Sequence, residues 1–228
     1  MKKIIILVVF LLSIFVTSVQ SQDLSTDRPG VGNDVGVVPI NRIQLETGFS
    51  YSKGETSYNN SLLRYGVSQN IELRLNSNYV KNSDITGFQP FTIGVKMKLF
   101  DNKFIFPAIS LISQFELPFL AKKNIPEVTP SYYLLFSNKI TSRLTISYNV
   151  GAEYRNDANT LTAFYTLCPT YDLGKGYSFF VEGYRQNNKN GLDFGFAKNI
   201  NNRIQMDLSF ITLQDNYSVF SGGLVYLF

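Results

Sequence analysis

The chain's chemistry rests on carboxylates, amines and guanidinium groups, because its 228 residues include no histidine and one cysteine, Cys168. Without histidine, neither a Ser-His-Asp nor a Cys-His catalytic unit can form, and a zinc, haem or non-haem iron site ligated by histidine is excluded. Paired carboxylates such as Glu153 and Glu182 could serve in general acid–base catalysis, but any charged interior supplies such pairs. We therefore expect a protein that is not an enzyme and holds no metal or cofactor.

The charged residues recur at every second position of segments in which apolar residues occupy the positions between them. This is the spacing of one face of a β-strand, as in 71–75, where Glu72 and Arg74 alternate with apolar side chains. Extended along the chain, the alternation places eleven charged residues on the polar face: Glu46, Arg64, Glu72, Arg74, Lys96, Glu116, Glu153, Arg155, Glu182, Asp193 and Asp207. Acids and bases are mixed, so we expect pairing across neighbouring strands. A strongly anion-selective pore, which needs a ladder of bases, is disfavoured.

These positions belong to twelve predicted strands, with tight connections alternating with connections that begin longer, at 53–59, 81–88 and 119–127. The strands are predicted at 42–52, 60–69, 71–80, 89–100, 104–118, 128–138, 142–155, 160–172, 176–186, 190–198, 202–213 and 217–228. An even number of antiparallel strands, with short turns at one end and longer loops at the other, is typical of an outer-membrane β-barrel. The predicted fold is all-β, an antiparallel transmembrane barrel of about twelve strands.

Aromatic residues favour this membrane barrel, polar inside, over a secreted soluble β-sandwich or lipocalin-like barrel. Tyrosines on the apolar face cluster near both ends of the strands, as two aromatic belts would: Tyr51, Tyr79, Tyr154, Tyr171, Tyr177 and Tyr226. The chain stops at Phe228, and a last strand that ends on an aromatic residue resembles the signal read by the outer-membrane assembly machinery. The expected surroundings are a lipid bilayer, in the outer membrane of a Gram-negative bacterium.

The N-terminal region predicts export. Residues 1–3 are basic at two positions, 4–16 are apolar, and small residues precede Gln22, which is the pattern of a signal peptide over 1–21. Residues 22–41 are rich in Gly, Pro, Asp and Asn and show no strand period. This loop segment, with Asp27, Arg28 and Pro29, could enter the lumen as a plug, where Asp27 and Arg28 would pair with interior charges such as Glu46 or Arg74. The alternative is a disordered tail. Residues 42–228 would form the barrel.

Three sequence motifs resemble one known family. Residues 25–30 read STDRPG, 43–49 read IQLETGF, and 68–74 read SQNIELR, with an echo at 201–207. These resemble the T-D-R-P element, the first strand and the repeated hairpins of the outer-membrane transporters labelled "MetA-pathway of phenol degradation". The family's usual Asp or Glu after the proline is Gly30 here. The resemblance covers essentially all of 22–228 and implies uptake of hydrophobic or aromatic compounds.

Function is therefore predicted as a channel or transporter for a small, hydrophobic or aromatic, solute. The alternative is a plugged structural or interaction barrel without transport activity. The formal net charge is +4, but the basic residues form no continuous stripe, and so no nucleic-acid partner is expected.

Overall fold

The computed structural model describes residues 24–53, 55–82, 86–103, 105–117, 128–155, 159–186, 188–214 and 218–228, with the backbone alone at 55–59, 82 and 155. Within these residues the secondary structure consists of thirteen β-strands. They are β1 (Ile43–Ser52), β2 (Glu55–Gly66), β3 (Ile71–Asn82), β4 (Thr86–Phe88), β5 (Phe91–Phe100), β6 (Ala108–Leu117), β7 (Thr129–Lys139), β8 (Leu144–Arg155), β9 (Thr160–Gly174), β10 (Tyr177–Gln186), β11 (Lys189–Asn201), β12 (Ile204–Leu213) and β13 (Ser218–Leu227).

The strands form one closed antiparallel sheet. Each pairs with its neighbour along the chain, except that β4 and β5 do not pair with each other, and β1 pairs with β13 to close the ring. Strands β4 and β5 share one position, because both pair with β3 and are separated only by Gln89 and Pro90. Proline lacks the N–H that a ladder needs, which explains the interruption. The wall is therefore a twelve-position barrel with one extra short strand.

The predicted fold is confirmed, and two predicted loops are wrong. The 53–59 loop reduces to a two-residue connection, because β2 starts at Glu55 and pairs with the end of β1. The 81–88 loop is largely strand, because β3 runs to Asn82 and β4 pairs back onto it. The predicted signal peptide, 1–21, and the predicted loop at 119–127 lie outside the described residues.

The two faces of the wall have the polarity of a membrane barrel. Leu134, Val150 and Leu208 on the outer face are 42–54% exposed, whereas Arg64, Glu72 and Lys96 on the inner face are fully buried. A soluble barrel would reverse this arrangement, because exposed apolar area is unfavourable in water. Among the described residues, no helix is long and apolar enough to cross a membrane.

The six belt tyrosines lie on the outer face near the strand ends. Tyr51, Tyr171 and Tyr177 are 43–58% exposed. Tyr79 packs edge-to-face on Phe88, and Tyr154 hydrogen-bonds the Asn159 side chain. Tyr226 packs on Phe228, the last residue.

Phe228 is tied to the start of the barrel. Its N–H donates to the carbonyl of Ile43 at 2.9 Å, and Arg42 donates to its carbonyl at 2.8 Å. Both ends of the barrel sequence therefore meet at one end of the strands, called here the turn end. The opposite end, where β1 leads into β2 and β6 into β7, is the loop end.

Candidate functional site

The interior of the barrel holds residues 24–41, called here the inner segment. The segment leaves the wall at the turn end, where Ile40 forms an isolated bridge with Gly66 and the Asn41 N–H donates to the Gly66 carbonyl at 2.8 Å. It contains no strand. Its buried polar groups must therefore be satisfied by the wall, because a buried N–H or carbonyl without a partner is costly.

One wall of the lumen carries a buried charge network centred on Arg64. Its guanidinium lies 2.7 Å from Glu46 on β1 and 2.9 Å from Glu72 on β3. It also donates to two carbonyl oxygens of the inner segment, those of Ser25 and Gly36, at 2.9 and 3.0 Å. The same arginine thus fixes both the wall and the segment.

Asp27 of the inner segment extends this network. Its carboxylate lies 2.5 Å from Arg74 on β3 and 3.1 Å from Lys96 on β5, and its backbone N–H donates to Glu46. Burial alone would raise the pKa of Asp27, but the positive charges of Arg74, Lys96 and Arg64 outweigh burial and hold that pKa well below its usual range. Asp27 is therefore ionised and holds the inner segment to Arg74 and Lys96.

The opposite wall holds the segment through Glu182 on β10. Its two carboxylate oxygens accept the N–H groups of Val31 and Gly32 at 2.6 and 2.9 Å. A Cβ at residue 32 would lie only 2.6 Å from this carboxylate and 2.7 Å from the Thr166 hydroxyl, so glycine permits this close approach. On β8, the Asn149 side-chain oxygen accepts the Asn33 N–H at 2.6 Å.

The anchors on the two walls face each other across the lumen. Counting β4 and β5 as one position, β3 and β10 lie six positions apart in a ring of twelve. The segment binds β3 through the Val38 N–H, which donates to Glu72 at 2.8 Å, and binds β10 through Glu182. The inner segment therefore spans the full width of the barrel.

A third anchor lies near the seam between β1 and β13. Arg28 pairs with Asp207 on β12 at 3.0 Å. Its guanidinium lies against glycine backbone, since a Cβ at Gly223 would fall 2.2 Å from the Arg28 Nε and one at Gly48 would fall 2.6 Å from an Arg28 terminal nitrogen. These glycines leave room for the arginine to reach Asp207.

The only core cluster among the described residues supplies an apolar anchor for the segment. Ile112, Tyr133, Leu135 and Phe164 on β6, β7 and β9 are at most 7% exposed, and Val31 and Val35 of the inner segment pack against them. Tyr133 and Phe164 meet edge-to-face with ring centroids 5.2 Å apart. The lumen wall thus has an apolar strip that the inner segment covers.

Two cavities flank the segment. One, of about 250 Å³, is lined by residues including Cys168, Thr166 and Glu182. The other, of about 600 Å³, lies toward the loop end, with residues 27–33 among its lining. We call the second cavity the vestibule. Within the described part of the chain, no group of three or more His, Cys, Asp or Glu residues is arranged to hold a metal ion.

The sequence-predicted lumen residues occupy distinct places. Glu46, Arg64, Glu72, Arg74 and Lys96 form the buried network, while Glu182 and Asp207 hold the opposite side of the segment. Asp193 is fully buried on β11 in register with Glu182. Glu153 accepts the Tyr133 hydroxyl at 2.7 Å near the loop end, Glu116 is half-buried on β6, and the Arg155 side chain lies outside the described part.

Several partners of the segment are uncharged and were missed by the sequence analysis. Gln44 donates to the Ser25 carbonyl at 2.6 Å, and Ser110 donates to the Val35 carbonyl at 2.5 Å. Asn149, which accepts the Asn33 N–H, is uncharged as well. Their only sequence signal is their position on the polar face, which they share with many other residues.

The sequence of the chain matches a known protein family. The family described as "Putative MetA-pathway of phenol degradation" matches residues 26–226. The chain belongs to this family. No curated protein gives a sequence match to the chain.

Solved outer-membrane proteins share the fold of this family member. The COG4313 outer membrane channel from Pseudomonas putida F1 aligns with a TM-score of 0.63 at 11% identity, covering 88% of this chain and 100% of that one. The KdgM porin in complex with disordered oligogalacturonate aligns with a TM-score of 0.61 at 10% identity, covering 80% and 98%. The NanC porin aligns with a TM-score of 0.57 at 10% identity, covering 81% and 98%. The chain thus has the barrel fold of these outer-membrane porins and channels.

Proposed function

We propose that this barrel is an outer-membrane channel for small solutes that rests closed, with the inner segment as its gate. The observation that carries the proposal is the span of the segment, which is held at once by Glu72 on β3 and Glu182 on β10. Passage through the lumen then requires the segment to move aside.

The wall does not need the segment for its own closure. Each of the twelve wall positions pairs with the positions on either side of it, and the segment adds only an isolated bridge at Ile40. The described contacts that hold it are ion pairs, single hydrogen bonds and the packing of Val31 and Val35. These contacts can break without unfolding the sheet, which is the requirement for a gate.

The solute class that we propose is hydrophobic or aromatic, as the family description implies. Withdrawal of Val31 and Val35 would uncover Ile112, Leu135 and Phe164, giving an apolar strip for such a solute to follow. The charge network on β1, β2, β3 and β5 would keep the remaining path hydrated.

A plugged structural barrel without transport is the second candidate, and the burial of Arg64 favours it. If the segment left, the Arg64 guanidinium would lose the carbonyl oxygens of Ser25 and Gly36. A hydrogen bond to a charged group contributes about 1.5–3 kcal/mol relative to bonds to water, so the loss of these two bonds opposes opening.

Conductance in planar bilayers tests the proposal, with the full chain compared with a variant lacking residues 22–38. We expect brief, rare steps from the full chain and sustained, larger steps from the deletion variant. Heat-modifiable migration in detergent gels shows that each barrel is folded. If both folded proteins are silent, or both conduct equally, the gate is refuted, and continued silence favours the structural barrel.

Flux into proteoliposomes tests the solute class separately. Phenol uptake that is faster with the deletion variant than with the full chain, and faster than in liposomes without protein, would support it. Uptake no faster than through the lipid alone would contradict the proposed solute, although the gate could still stand.

A further inference from the structure

The vestibule is rich in carboxamides on one side. Asn60 on β2, Asn76 and Asn78 on β3, and Gln114 on β6 line it, with Gln89 before β5. A carboxamide offers both donors and an acceptor without net charge. Four neighbouring positions of the wall therefore present the same neutral hydrogen-bonding group to one space.

Three of these carboxamides are free to bind a solute. Asn78 donates to Gln89 at 3.0 Å, but the side chains of Asn60, Asn76 and Gln114 have no hydrogen-bond partner within the described parts of the chain. They face a cavity of about 600 Å³, which lies within the range of about 300–1,000 Å³ for small-molecule sites.

The charged groups around the vestibule are already engaged. Arg28 is paired with Asp207, and Arg74 is paired with Asp27 and Glu72. These two arginines are the only cationic side chains among the described lining residues. Among the described lining residues, no free base is left to neutralise an anionic solute.

The acidic side of the lining disfavours anions further. Glu153 accepts hydrogen bonds from the Tyr133 hydroxyl and from Gln186, at 2.7 and 3.1 Å, and no base pairs with it in the described part of the structure. An incoming carboxylate or phosphate would meet this negative charge and lose its hydration without compensation.

We infer that the vestibule is a binding site for a neutral, hydroxyl-rich solute of about sugar size. Hydroxyl groups donate and accept, as carboxamides do, so Asn60, Asn76 and Gln114 can each exchange a pair of hydrogen bonds with one solute. The Tyr133 ring, which also lines the cavity, supplies surface for its C–H groups. Binding here does not require the inner segment to move, so this site is separable from conduction.

Isothermal titration of the full-length folded barrel tests the site, in lauryldimethylamine oxide so that no detergent sugar competes. The probes are glucose, glucuronate and phenol, of which the first two share a ring and differ in charge. We expect saturable binding of glucose, at least tenfold weaker binding of glucuronate, and no competition by phenol. Asn76→Ala and Gln114→Ala should each weaken glucose binding by about three- to tenfold, as loss of one or two hydrogen bonds predicts.

The matched control is Asn70→Ala, which removes an exposed carboxamide in the turn between β2 and β3 and should leave glucose affinity unchanged. Two vestibule variants are used so that one remains if the other fails to migrate as a folded barrel. Absence of glucose binding, tighter binding of glucuronate, displacement of glucose by phenol, or affinity unaltered in a folded variant would overturn the site. None of these outcomes bears on whether the inner segment gates conduction.

Discussion

Replacing Glu182 by glutamine should weaken the attachment of the inner segment to β10 while leaving the shape of the wall there unchanged. The carboxylate accepts two N–H groups, from Val31 and Gly32, at 2.6 and 2.9 Å. Glutamine keeps one acceptor oxygen and turns an NH₂ group toward the other N–H, where two donors then face each other. The substitution is nearly isosteric, so its effect is confined to the hydrogen bonds between residue 182 and the inner segment.

The magnitude follows from the bonds that are lost. A hydrogen bond to a charged group contributes about 1.5–3 kcal/mol. Loss of one such bond and conversion of the other to a neutral one should destabilise the seated segment by about 2–3 kcal/mol. Since about 1.4 kcal/mol is a tenfold change in an equilibrium constant, the ratio of displaced to seated segment should rise about 30- to 140-fold.

Single-channel recording measures this ratio as open probability. The control is Asp101→Asn, which removes a carboxylate that is 68% exposed beside Lys98 at the turn end and should leave open probability unchanged. An E182Q barrel that folds and has an open probability within twofold of the parent would refute the claim that Glu182 holds the inner segment in place.

Three further predictions concern the other anchors. Arg28→Gln removes the charged pair with Asp207 and should speed labelling of the native Cys168 by a maleimide at least severalfold, because Cys168 lines a cavity shared with the segment; an unchanged rate would argue against this anchor. Gly223→Ala should give the same acceleration by crowding the Arg28 guanidinium, and the double variant should be no faster than either single one if both act on the same pair. Because the pKa of Asp27 is lowered in the folded protein, its contribution to seating is fully present above its usual value near 3.9 and is lost only as pH falls below that value. Conductance recorded from pH 8 to 5 should therefore show no rise attributable to Asp27, and a rise that Asp27→Asn abolishes would contradict this.

The sequence predicts the wall well because the signal there is local. Alternation in 71–82 puts Glu72 and Arg74 on one face whatever the rest of the chain does, and the structure places both inside. The start of β2 is different. Residues 55–60 are polar and carry little alternation, yet they form strand because pairing with β1 and β3 satisfies their backbone. Tertiary pairing decides such segments, and propensity does not.

The partners of the inner segment could be predicted only in part. The sequence suggests that Asp27 could meet Arg74, and the two are paired at 2.5 Å. Arg28 pairs with Asp207 instead of Glu46, because crossing the lumen brings it to β12. Contacts between residues some 150 positions apart, such as Val31 with Glu182, depend on the path of the segment, and no spacing in the sequence encodes that path.

Gly30 illustrates how the departure from the family pattern fits this interior. A Cβ at this position would lie 3.0 Å from a carboxylate oxygen of Glu182. An Asp or Glu there would bring a second negative charge close to the Glu182 carboxylate, and like charges so close in a buried site are strongly unfavourable. Glycine is therefore compatible with Glu182 where a carboxylate is not.

A reversible cross-link between the inner segment and the wall tests the gate most directly. The Cβ of a residue at 32 would lie 2.7 Å from the Thr166 hydroxyl oxygen and 2.6 Å from the Glu182 carboxylate, so a cysteine at 32 displaces that carboxylate, and a disulfide to position 166 then holds the segment in its place. A G32C/T166C protein carrying Cys168→Ser would have one possible bond. The account predicts no conductance steps when it is oxidised and steps that appear on reduction in the same bilayer. Equal conductance in both states would contradict it.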